Sequence, residues 1–141
     1  VELILVSAII NFTILITLAG IHFYWAMGGT WGGEVAVPLN PQGKKLFQPS
    51  ALSCIIVAIG LLIFSAIELG YAQLLFWPVP NYIFKYENFI VTFIFLLRAI
   101  GDFRYVGFFK KITSSAFARN DTLYYSPLCL LISLLSLSLN F

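Results

Sequence analysis

Arg98, Asp102 and Arg104 have the most chemistry to offer, because they follow the apolar run Phe89 to Leu96 with no proline or loop signal between. Read as one helix from about Asn88 to Phe109, the segment carries a guanidinium and a carboxylate below a membrane surface. Each charge there costs roughly 2.5 to 3.5 kcal/mol near the bilayer centre, so such groups face other helices or a wet cavity and find partners. Three partnerships are open. Asp102 lies one helical turn from Arg98 and can pair with it along the helix. Glu68, the lone charge of another apolar stretch, is a candidate for a structural ion pair with Arg98. His22, the only histidine, could work with Asp102 as an acid/base pair, the carboxylate orienting the ring. Against each stands a plainer reading: a register-fixing ion pair for Arg98, and a hydrogen-bonded packing histidine for His22.

Arg104, Lys110, Lys111 and Arg119 form a basic group suited to anionic lipid headgroups. Arginine among them could hold a phosphate through two parallel hydrogen bonds. One histidine cannot furnish the paired axial ligands of a membrane haem, and no zinc spacing is present, so no metal and no cofactor are expected. Cys54 and Cys129 stand alone and read as small core residues. Nucleophile elbows, phosphate loops and dinucleotide fingerprints are absent. Basic runs with interleaved aromatics are absent too, so no nucleic acid is expected as partner.

The elements that must position these residues follow from composition. The chain has 141 residues, of which 60% are hydrophobic and 10% charged, and its mean hydropathy is +0.95. Such a chain cannot cover itself with a water-compatible surface, so an all-α integral membrane four-helix bundle is expected, as one domain. The spans fall at about 2–27, 49–75, 88–109 and 123–141. The first is too long and too poor in amino-terminal positive charge for a cleaved signal peptide. On it, Ser7, Asn11 and His22 form an inward polar stripe, while Thr13, Thr17 and Gly20 form a small-residue face suited to packing on a neighbouring helix. On the second, Cys54, Ala58, Leu61, Ser65 and Glu68 share an inward face. The segment Thr113 to Thr122 reads as a polar link, with Asp121 or Thr122 capping the last helix.

Lys44, Lys45, Lys110, Lys111 and Arg119 lie in the first and third connections, against Lys85 alone in the second. The positive-inside rule then puts those connections, including the long first loop, in the cytoplasm and both termini outside. At roughly 1.5 Å per residue, His22 and Asp102 fall within ~3 Å of one level, and Arg98 and Glu68 within ~5 Å of another.

Four blocks carry a resemblance: His22 to Gly32, Phe47 to Ser50, Arg98 to Lys111, and Phe117 to Thr122 with Ser126 to Cys129. They are similar to the bacterial membrane family called domain of unknown function 3995, over nearly the whole chain. The resemblance implies a small multi-span bacterial membrane protein and implies no activity; the expected location is the bacterial inner membrane. All four blocks map to the cytoplasmic side in this topology. They predict a single cavity lined by His22, Tyr24, Trp25, Ser50, Asp102, Arg104, Tyr105, Arg119, Asp121 and Tyr124, and Arg98 is counted with them among the ligand-binding residues.

The reading that follows is a membrane protein whose cavity binds a lipid-like or anionic amphiphile, or that serves as an accessory subunit. Membrane lipids are then its partners, with a homo-oligomer or larger membrane complex open. The alternatives are a small enzyme acting on a lipid or isoprenoid through His22 and Asp102, and a homodimeric transporter.

Overall fold

A computed structural model describes residues 1–141 and is all-helical. Its four helices are α1 (Glu2–Ala26), α2 (Ala51–Tyr71), α3 (Asn81–Ile100) and α4 (Ala116–Ser138). Three of them, α1, α2 and α4, are long and apolar enough to cross a membrane. α3 is not among these three; Lys85, Glu87 and Arg98 interrupt its apolar surface. Each helix packs on two others, α1 on α2, α2 on α3, α3 on α4 and α4 on α1. Leu15 and Ala19 of α1, Leu61 of α2, Val91 and Phe95 of α3 and Ile132 of α4 form the shared core.

The α2 face expected to turn inward does so: Cys54, Ala58, Leu61, Ser65 and Glu68 are all buried. Ser7 and Asn11 of α1 are buried as well. Thr13, Thr17 and Gly20, expected to pack on a neighbouring helix, instead lie on the exposed side of α1. The two threonine hydroxyls donate to carbonyls one turn back, Ile9 at 2.8 Å and Thr13 at 2.7 Å, so this face needs no partner to satisfy its polar atoms. Both cysteines are free thiols.

Three boundaries differ from the sequence reading, both ends of α3 and the start of α4, and they decide where the polar residues fall. α3 begins directly after Pro80 and ends at Ile100, not at Phe109, because Gly101 turns the backbone to φ +88°. α4 begins at Ala116, where the Ser115 hydroxyl accepts from the Ala118 N–H at 3.0 Å; Ser115, not Asp121 or Thr122, is the cap. Pro127 lies inside this helix and has no N–H to give to the preceding turn. The helix accommodates it with a π turn over Asp121–Tyr125, where the Ser126 N–H reaches the Asp121 carbonyl.

The connections sort into two ends. The 3₁₀ turn Gly33–Val35 of the first connection meets the start of α4, and the Tyr125 hydroxyl donates to the Val35 carbonyl at 3.2 Å. At the other end the Ser138 hydroxyl of α4 bonds the Ser7 hydroxyl of α1 at 3.1 Å. The end with the two long connections holds Lys44, Lys45, Arg104, Lys110, Lys111 and Arg119 and is the basic end of the molecule.

Candidate functional site

At the basic end the segment Gly101 to Lys111 is a folded loop, and its order begins with Asp102. One carboxylate oxygen, Oδ1, accepts from the backbone N–H groups of Arg104, Tyr105 and Val106 at 2.9, 2.7 and 3.0 Å. Slight burial pushes the Asp102 carboxyl upward, but these backbone donors outweigh it and hold the group below its ordinary value. Gly101 and Gly107, both at positive φ, let the two ends of the loop cross; a Cβ on Gly101 would collide with the Val106 carbonyl, and one on Gly107 with that of Ile100. The Phe108 N–H then returns to the Ala99 carbonyl at 2.8 Å and satisfies the end of α3.

This loop feeds a buried charge cluster. Asp121 is fully buried and accepts from Arg98 Nη2 at 2.9 Å, from Lys110 Nζ at 3.1 Å and from the Gly107 N–H at 2.8 Å. Lys110 is buried too and completes its donors on the Gly107 carbonyl and the Thr122 hydroxyl, at 2.9 and 2.6 Å. Two cations thus surround one anion, and Arg98 Nη1 keeps no partner.

Arg98 therefore pairs with Asp121, not with Glu68 or Asp102 as the spacing suggested. The reason is depth. Ending α3 at Ile100 moves Arg98 from mid-helix to the last turn, about 3 Å from the end, while Glu68 lies ~27 Å along α2 from the Ser50 cap at roughly 1.5 Å per residue. These residues belong to opposite ends of the molecule. The proposed His22–Asp102 pair is likewise not formed: Asp102 leaves the helix for the loop, and no hydrogen bond joins it to His22.

His22 belongs to a second feature of the same end, a groove of about 450 Å³ between the end of α1, the first connection and the start of α2. This volume lies within the range of small-molecule sites. Its polar wall includes His22, Lys45 and Gln48, and its apolar wall Val37, Cys54 and Val57. His22 Nδ1 meets the Leu18 carbonyl at 2.7 Å, and since a carbonyl only accepts, Nδ1 is the donor of this contact. Trp25 stacks edge-on against His22 at 5.1 Å and donates from Nε1 to the Trp31 carbonyl at 2.8 Å, tying α1 to the connection. Lys45 lies 3.6 Å from the exposed Glu34 carboxylate across the mouth.

The single cavity expected from the sequence is thus divided. His22 and Trp25 line the groove. Tyr24 points away from it, and its hydroxyl accepts from the Trp31 N–H at 3.2 Å. Arg104, Arg119 and Tyr124 are exposed, and the Arg104 guanidinium covers the Tyr105 ring at 5.1 Å. Lys110 is the central residue that the sequence reading missed, since beside Lys111 it looks like one more basic flank.

The other end carries a polar centre of a different kind. Asn11, Glu68, Asn88 and Ser136, one from each helix, are all fully buried. Asn11 Nδ2 donates to Glu68 Oε1 at 2.7 Å and to the Ser136 hydroxyl at 2.9 Å, and the Ser136 hydroxyl donates to the same Oε1. Asn88 Nδ2 donates to the Ser136 carbonyl at 2.6 Å. Only the inward stripe of α1 and the inward face of α2 pointed to this centre.

A family model described as "Protein of unknown function (DUF3995)" matches residues 15–136. No curated protein and no solved structure matches the chain.

Proposed function

The chain belongs to the DUF3995 family, whose description assigns no activity, and from its own geometry we propose that it binds an amphiphile with an anionic head in the groove at its basic end. The observation that carries this is the groove itself. Its lining combines His22, Lys45, Glu34 and Gln48 with the apolar Val37, Cys54 and Val57, the mixture of groups that a headgroup and a chain together would use. The lysines and arginines of the basic end favour anionic lipid over zwitterionic lipid.

In this reading the four helices form a membrane bundle in the bacterial inner membrane, with the basic end in the cytoplasm and both termini outside. The support is the concentration of Lys and Arg in the two long connections. The Arg98–Asp121–Lys110 cluster acts as the clamp that holds the loop and α4 beside the groove. An acid/base mechanism through His22 and Asp102 has lost its support, because the carboxylate is committed to its own loop.

Trp25 provides the test. With Trp31 and Trp77 replaced by Phe, the remaining indole reports on the groove. Phosphatidylglycerol with brominated chains should quench it more strongly than brominated phosphatidylcholine, and Lys45→Glu should remove the preference. Equal quenching by both lipids, unaltered by the Lys45 change, would reject the proposal.

A further inference from the structure

Around Ser136 the unpartnered buried oxygens are acceptors, the hydroxyl of Thr92, one turn from Asn88 along α3, excepted. Glu68 Oε2, Asn11 Oδ1 and Asn88 Oδ1 have no hydrogen-bond partner, and the side chains that carry them are fully buried. The neighbouring amide donors are already committed: Asn11 Nδ2 also meets the Ile132 carbonyl at 3.2 Å, and Asn140 Nδ2 meets the Ser136 carbonyl at 3.3 Å, while Asn140 Oδ1 is one more unpartnered acceptor. What the cluster lacks is positive charge. A carboxylate held away from water by neutral donors alone is strongly disfavoured, and further apolar packing does not relieve it.

No side chain supplies that charge. Glu2 on α1 and Lys85 on α3 are exposed, and Glu87 borders the outer surface beside Trp77 and Ile83. Arg98 and Asp121 pair with each other at the basic end, where His22 also lies. The ion pairs of the chain leave Glu68 out.

We infer that Glu68, Asn11 and Asn88 form a binding site for one small positive charge, a proton or an alkali cation such as Na⁺. The donor set is all oxygen, one carboxylate and two amide carbonyls, which suits a hard cation; imidazole and thiolate are absent from it. A monovalent ion neutralises the one carboxylate, whereas a divalent ion would leave net charge in apolar surroundings. Ser136 is a positioning residue, turning one carboxylate oxygen so that the other is free. The site is separate from the groove and does not depend on what the groove binds.

Infrared difference spectroscopy of the full chain in liposomes tests the inference. The wild type should show a protonated-carboxyl band that Glu68→Gln removes and that fades as pH rises in choline chloride. If Na⁺ competes with the proton, replacing choline by sodium moves the fading to lower pH, by roughly one unit per tenfold sodium above its dissociation constant. Fading that ignores sodium identifies the proton as the ligand. Ser136→Ala keeps the carboxylate but removes a donor to it, so its band should fade at higher pH, a readout that does not require the Gln variant to fold. A Glu68 band that is present or absent throughout, whatever the pH and the salt, overturns the inference.

Discussion

The two polar centres of this protein bury one acid each, and they solve the cost of doing so differently. Asp121 at the basic end is met by a guanidinium, an ammonium and a backbone N–H. Glu68 at the opposite end is met only by the amide of Asn11 and the hydroxyl of Ser136. The first arrangement is electrostatically closed toward its acid and works as a structural clamp. The second is closed only when a positive charge joins it. A buried acid is therefore informative about function chiefly through what its neighbours fail to provide.

The largest expected effect is at the clamp. Asp121→Asn leaves Arg98 and Lys110 together without an anion, and should lower stability by about 3 to 5 kcal/mol, measured by unfolding in detergent. Glu68→Gln, which keeps an acceptor for Asn11 and Ser136, should change stability by no more than about 1 kcal/mol. Equal losses at the two acids would erase the distinction between them.

Gly101→Ala comes next. It places a Cβ at positive φ and against the Val106 carbonyl, and by disordering the loop it withdraws the Gly107 N–H from Asp121. A loss of at least about 2 kcal/mol is expected, together with faster backbone exchange at Arg104, Tyr105 and Val106. Retained protection there would show that the clamp does not need the loop.

The Asp102 carboxyl sharpens the comparison through pH. Its group is depressed below the ordinary 3.8, so the stability it lends is complete above that value and is lost as pH falls through the lower folded value. Asp102→Ala should cost about 1 kcal/mol near neutrality and flatten this acid limb of the stability profile. An acid limb that is the same in the variant would place its origin elsewhere. The smallest effect should come from Lys45→Glu, at a half-buried position of the groove lining whose one ion pair is with the exposed Glu34: no measurable change in the unfolding midpoint, with lipid preference altered. A shift of several degrees would mean that Lys45 is part of the scaffold.

Much of the fold was legible in the residue order, for identifiable reasons. Apolar length exposed α1 and α2, and helical spacing exposed the face from Cys54 to Glu68, because a side chain's direction on a helix depends only on local geometry. The Arg98 segment was not read correctly, although Gly101 followed by Asp102 is a helix stop and then a turn-forming side chain. The apolar content of Phe103, Val106 and Phe108 hid that signal, since it continues the pattern of a spanning helix.

Composition and periodicity by themselves settled that this is an all-helical chain with membrane-compatible helices and that Glu68 faces inward. They could not settle which cation meets which acid. Shortening one helix by nine residues shifts a charge by ~14 Å at roughly 1.5 Å per residue, farther than any side chain reaches. Only the packing of four helices brought Lys110 and Arg98 to Asp121 and left Glu68 among neutral groups, because Coulomb attraction acts over distances that the linear order of residues does not contain.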